Sequence, residues 1–185
     1  MRISLIGLSL GLIICSSAGA QMPDMAPMPM ASPMTTTIKT PGGSAIGTLT
    51  LTGIASGVLF QIDIATGLTP GWHGMHFHQT GDCSDAKFMT TGGHMNPVQA
   101  KKAHGFLNPA GPDLGDLINL YVAADGSAHA QGYTARVRLE PGTGLPDQVL
   151  RDGDGSALVI HANPDDFMTQ PIGGSGARIA CAVIK

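Results

Sequence analysis

Short runs of alternating apolar and polar residues fill most of the chain. Val58, Phe60, Ile62 and Ile64 share one parity while Gln61 and Asp63 take the other, the period-two signature of a strand with one face in a core and one in water. Residues 48–52, Thr-Leu-Thr-Leu-Thr, alternate in the same way. Further strands are predicted over residues 117–123, 135–139, 156–161 and 179–184. Breaks fall at Asp125-Gly126, Pro141-Gly142 and Asp154-Gly155, where glycine and proline favour turns. No stretch carries a long helical period. Many short strands between Gly/Pro turns predict an all-β sandwich or barrel. Two segments break the rhythm, residues 79–115 and 162–178. Long aperiodic loops in a compact domain usually carry function.

The N-terminus follows a different pattern. Arg2, the apolar run at residues 3–14 and Ala18-Gly19-Ala20 predict a secretory signal over residues 1–20, cut before Gln21. That run is shorter than the roughly 20 apolar residues of a membrane-spanning helix, so no membrane association is expected after cleavage and the location is periplasmic or secreted. Residues 21–37 hold Met, Pro, Ala, Ser and Thr with one charge, Asp24, and read as a flexible tether. Its methionines (Met22, Met25, Met28, Met30, Met34) offer soft thioethers suited to Cu(I), although composition favours a plain linker. Residues 38–185 then make one domain with one core.

Charge and cysteine usage narrow the reading. The formal net charge is −3 and no basic run exceeds Lys101-Lys102, which excludes a nucleic-acid footprint. Of three cysteines, Cys15 falls in the leader, leaving Cys83 and Cys181. In an oxidising compartment this even pair reads as a disulfide, the alternative being two buried thiols.

Candidate chemistry gathers in and beside the two long loops. His76-Phe77-His78 lies where an apolar stretch reads as a strand, so both imidazoles project to one face and Phe77 to the other. His94 and His161 are placed to join them. Four imidazoles suit Cu(II) or Zn(II), and redox use favours copper. Histidines satisfied in a core or lying at the surface are the competing reading. His104, Asp113 and Asp116 follow His94 along the same loop, and mixed imidazole and carboxylate ligands suit zinc. Taken singly, the two aspartates are more often turn residues. His73 is expected to be structural and His129 exposed.

The segments Gly71-Trp72-His73-Gly74-Met75-His76-Phe77-His78, Gly81-Asp82-Cys83, Gly93-His94-Met95-Asn96-Pro97, His104-Gly105, Gly115-Asp116-Leu117, His161 with Asp165-Asp166, and residues 173–181, ending Arg178-Ile179-Ala180-Cys181, closely resemble the copper-zinc superoxide dismutases, bacterial periplasmic type. The resemblance covers about residues 38–185 in order. It implies an eight-stranded Greek-key β-barrel, sandwich-like, with two long functional loops. It implies copper held by His76, His78, His94 and His161, and zinc held by His94 as a bridge, His104 and Asp116. It further implies a Cys83–Cys181 disulfide, Asp165 as a carboxylate linking a copper histidine to a zinc histidine, and Arg178 as the arginine that guides the anion. The implied reaction is disproportionation of superoxide to oxygen and hydrogen peroxide, with His94 and Arg178 as the catalytic side chains. Lys87, Lys101 and Lys102 are the cations nearest in sequence to assist Arg178. A homodimer stands as a candidate assembly. The alternative is a periplasmic copper-binding or copper-buffering protein on the same scaffold.

Two departures from the family pattern stand out. Asp113 occupies the place, three residues before Asp116, where the family usually has histidine. A carboxylate there is expected to complete the zinc set with one more negative charge. Ala182 follows Cys181 where the family commonly has glycine.

Overall fold

A computed structural model of the protein describes residues 32–96, 101–142 and 148–185. The signal assigned to residues 1–20, the tether up to residue 31 and Pro97 lie outside the described residues. Among the described residues nine strands run in the order β1 Met34–Lys39, β2 Ala45–Ile54, β3 Gly57–Ile64, β4 Gly71–His73, β5 Met75–His78, β6 Leu120–Val122, β7 Ala128–Thr134, β8 Ser156–His161 and β9 Arg178–Ile184. Seven of them pair antiparallel in the order β5-β8-β9-β1-β2-β3-β7, and β4 pairs with β6. Only Gly74 separates β4 from β5, so these two are one strand that changes partners at a glycine. Counted in that way, the strands number eight. β4 continues the β5 edge towards β6, and the turn at Asp125-Gly126 joins β6 to β7 at the opposite edge, curling the sheet into an all-β barrel.

Alternation explains which faces are buried. In β3 Val58, Phe60, Ile62 and Ile64 are buried while Leu59 and Gln61 are exposed. Leu49 and Leu51 of β2 meet the same core. Phe60 and Phe77 meet edge to face, with ring centroids 6.4 Å apart, a geometry the ring quadrupoles favour. β5 and β8 are buried at every position. In β8 Leu158 and Ile160 face the barrel core, whereas Ala157 and Val159 pack beneath Phe88 and Cys181 in a second cluster. β5 divides likewise, Met75 and Phe77 inward and His76 and His78 towards the long loops. A strand covered on both sides reads as a continuous buried run.

Four local differences separate this structure from the sequence-based strands. Met34–Thr37, assigned to the tether, belong to β1, whose threonines pair along β2, as Thr35 Oγ1 does with Thr50 Oγ1 at 3.0 Å. The strand expected over 117–123 shortens to Leu120–Val122. Residues 135–139 form no strand beyond one bridge, Arg138 to Val149, although Val137 and Leu139 are buried. The strand in that region is instead β7, whose inward positions are small because the Phe60 ring lies over Gly132, leaving no room for a Cβ. Ala182 sits opposite Leu158 within the β8–β9 ladder.

The disulfide between Cys83 and Cys181 ties the first long loop to β9, with Cα atoms 6.0 Å apart.

Candidate metal centre

Backbone pairing brings the candidate side chains together. The first long loop returns twice to β5, forming one bridge between His76 and Asp116 and another between His78 and His94. Three hydrogen bonds fix this junction: Phe77 N–H to the Gly115 carbonyl, Met95 N–H to the Phe77 carbonyl and Gly115 N–H to the Met95 carbonyl. A Cβ on Gly115 would lie 2.2 Å from the Phe77 carbonyl oxygen, so only glycine allows this approach. His161 enters from the end of β8, and its N–H bonds to the Gly74 carbonyl.

Two sets of donor atoms result. In the first, one ring nitrogen each from His76, His78, His94 and His161 lies within 4.8 Å of the others, all four residues being buried. Every ring is held from its far side. His78 Nδ1 faces the Gly92 carbonyl at 3.0 Å, His161 Nδ1 the Gly176 carbonyl at 3.1 Å, His94 Nδ1 the Asp113 carboxylate at 3.0 Å, and His76 Nε2 the Asp165 carboxylate at 2.9 Å. These acceptors select the tautomer and orientation of each ring. The remaining nitrogens, His76 Nδ1 and Nε2 of His78, His94 and His161, are buried without a hydrogen-bond partner. Four orphaned lone pairs in one place would be costly in an ordinary core. They are the donor set that a metal ion requires.

The second set contains His76, His94, His104 and Asp116 under the same 4.8 Å limit. Asp113 faces it too: its Oδ2 lies 3.0 Å from His94 Nδ1 and 3.9 Å from His104 Nδ1. Asp116 Oδ1 lies 2.6 Å from His104 Nδ1 and 3.5 Å from His94 Nδ1. Each aspartate anchors its other oxygen on the backbone. Asp116 Oδ2 accepts from Gly105 and Asp113 N–H, and Asp113 Oδ1 accepts from Gly115 N–H. Asp165 joins the sets, with Oδ2 on His76 Nε2 at 2.9 Å and Oδ1 on His104 Nε2 at 3.1 Å.

Protonation preferences differ across the site. Burial pushes His76 down to about 4 and His161 to about 3, and holds His78 well below the ordinary imidazole range. These rings are neutral near pH 7, as ligands must be. Burial also opposes charge on His94 and His104, but hydrogen bonds donated to Asp113 and Asp116 outweigh it at His94, and those donated to Asp116 and Asp165 raise His104 to about 10. His76, His78 and His161 thus reject protons, while the carboxylates beside His94 and His104 draw in positive charge.

Arg178 is pinned by three hydrogen bonds, Nη1 to the Phe88 carbonyl at 2.6 Å and to Thr91 Oγ1 at 2.8 Å, and Nη2 to the Gly92 carbonyl at 2.8 Å. It shares a cleft of about 370 Å³ with His94, Lys101 and Lys102. Lys87 is exposed and lies outside the residues lining that cleft. His73 and His129 stand apart from both sets. The His73 ring nitrogens lie 2.7 Å from the His161 carbonyl and 2.8 Å from that of Thr69, while His129 is exposed beside Asp63.

Three other side chains support the site, and no spacing signal announces them. Asn119 grips the backbone of Asp165, Gln170 grips that of His104, and Arg136 donates to the carbonyl of Asp116 while lying 4.8 Å over the Phe106 ring.

Known proteins resemble this chain in sequence and fold. Residues 45–184 match the family model described as copper/zinc superoxide dismutase. A Cu-Zn superoxide dismutase of Caulobacter vibrioides is 48% identical over 151 residues, covering 82% of this chain and 84% of that relative. A Cu-Zn superoxide dismutase of Aquifex aeolicus is 40% identical over 144 residues, covering 77% and 81%. Among solved structures, a SOD-like protein from Bacillus subtilis superposes with a TM-score of 0.75 at 35% identity, covering 82% of this chain and 97% of that one.

Proposed function

The chain belongs to the copper/zinc superoxide dismutase family, and on that premise we propose that His76, His78, His94 and His161 hold its copper while His94, His104, Asp113 and Asp116 hold its zinc. It is an oxidoreductase that converts two superoxide anions and two protons to oxygen and hydrogen peroxide, with copper and zinc as cofactors. The observation carrying the copper assignment is the convergence of four buried, unpartnered ring nitrogens whose opposite sides are all tied down. For zinc, the support is the pair of backbone-anchored carboxylates. His76 is already engaged by Asp165 at Nε2 and turns Nδ1 to the first set, which leaves the fourth place to Asp113.

Copper bound at the first set would supply reversible one-electron chemistry, whereas zinc at the second would keep a fixed charge state. The protein supplies the rest. Arg178 uses three of its five N–H groups on the loop at Phe88, Thr91 and Gly92, so its guanidinium is fixed and still has donors for a small anion. Lys101 and Lys102 in the same cleft add positive potential to a chain whose net charge is negative. His94 presents one nitrogen to each set, and its Nε2, unpartnered on the copper side, would be the atom to take up a proton and pass it on to the peroxide product. The disulfide and the predicted leader support a working place in the periplasm or outside the cell. A homodimer would have the exposed Trp72–Tyr121 pair to bury.

The test is superoxide consumption by protein loaded with both metals. We expect fast turnover, and in Arg178→Ala a rate lower by about tenfold or more at unchanged copper content. Full copper occupancy with negligible turnover in the wild-type chain would instead favour a copper-buffering protein.

A further inference from the structure

Two amide side chains each make a double hydrogen bond to the backbone of one site residue. Asn119, at the end of the first loop, donates Nδ2–H to the Asp165 carbonyl at 2.9 Å and accepts Asp165 N–H at Oδ1 at 2.8 Å. Gln170, in the second loop, donates Nε2–H to the His104 carbonyl at 2.8 Å and accepts His104 N–H at Oε1 at 2.9 Å. An amide can give and take at once, so each pair matches donor to acceptor and acceptor to donor, as two peptide groups would. The clasps run in opposite directions between the loops, and the residues they hold meet side chain to side chain, Asp165 Oδ1 on His104 Nε2 at 3.1 Å. Asn119, Asp165, His104 and Gln170 therefore form one continuous path that crosses between the two loops three times.

We propose that Asn119 and Gln170 are positioning residues for the zinc set, locking the two long loops in register so that His104 and Asp165 are aimed before an ion arrives. The proposal rests on reading His94, His104, Asp113 and Asp116 as the zinc ligands. Neither amide contacts those ligand atoms. Each acts through main-chain atoms of the residue it clasps, fixing where that side chain starts. Asn119 is half-buried and Gln170 is exposed at the rim, so Gln170 in particular has little to contribute to the barrel core. Holding ligands in place beforehand removes an ordering cost from binding. Partners behind a ligand commonly change metal affinity by about 10- to 100-fold.

The experiment compares the full-length wild type with Asn119→Ala, Gln170→Ala, the double variant and Gln170→Glu. Zinc dissociation constants are measured by chelator competition, the ligand-field spectrum is recorded with Co(II) in place of zinc, and metal-free thermal unfolding is followed in parallel. Each single alanine variant should weaken zinc binding by about tenfold and broaden the Co(II) spectrum, with metal-free unfolding of Gln170→Ala unchanged. The double variant should fall well short of the product of the two losses, because both break one path. Gln170→Glu keeps the acceptor for His104 N–H but has no amide donor, and should recover part of the loss. Wild-type zinc binding with affinities and spectra unaltered in the alanine variants would overturn the clasps alone. A wild-type chain that takes up no zinc would overturn the zinc assignment itself.

Discussion

At the scale of single residues, the site is governed by which atom of each side chain is already occupied. His78, His94 and His161 are engaged at Nδ1 and His76 at Nε2, so the free nitrogens are set before any ion is considered. The His76-Phe77-His78 step and its two-faced character were readable in the sequence, because strand geometry dictates them. Asp113 could be read as a zinc ligand only beside His104 and Asp116, since a lone aspartate two residues before a glycine is most often a turn. Its carboxylate lies 3.0 Å from His94 with the other oxygen on Gly115 N–H. Asp113→Ala should therefore lower zinc affinity by more than about tenfold, read by chelator competition, and leave copper stoichiometry intact. Unchanged zinc retention would remove Asp113 from the ligand set. Arg136, Asn119 and Gln170 were invisible for a common reason. They act on main-chain atoms, and a carbonyl or N–H leaves no trace in residue spacing.

Among the elements, β5 does the most for function, because one parity feeds the barrel core and the other the metal sets. The loop ligands reach it through the bridges at Asp116 and His94, and that contact depends on Gly115. Gly115→Ala should cost about 2–3 kcal/mol of stability and release copper and zinc together, measured by denaturant unfolding and metal content. Retention of both metals at wild-type stability would contradict this packing account. β3 and β8 were legible from alternation and from a continuous apolar run. β7 was not, because its core face is Ala128, Ala130, Gly132 and Thr134, with the Phe60 ring filling the space over Gly132. The apparent strand at 135–139 had the right alternation but finds only one bridge, so periodicity reported burial there without pairing.

Over the whole molecule, the disulfide joins residues 98 positions apart and fastens the loop that carries Phe88 and Thr91, and with them the Arg178 contacts, to β9. Replacing Cys83 and Cys181 by serine should lower stability by about 2–5 kcal/mol, visible as an earlier denaturant midpoint. It should also slow superoxide consumption in the metal-loaded protein, because the loop that pins Arg178 is released. A variant with wild-type midpoint and rate would rule out both effects. The Asp165 carboxylate has a consequence of another kind. Its two oxygens hold one histidine from each set, so any shift of this carboxylate on loading one set is felt by the other. Thermodynamic reciprocity then requires zinc to change copper binding by the same factor as copper changes zinc binding. Zinc affinity measured with and without copper should therefore change by the same factor as copper affinity measured with and without zinc, and through Asp165 each set reports on the loading of the other.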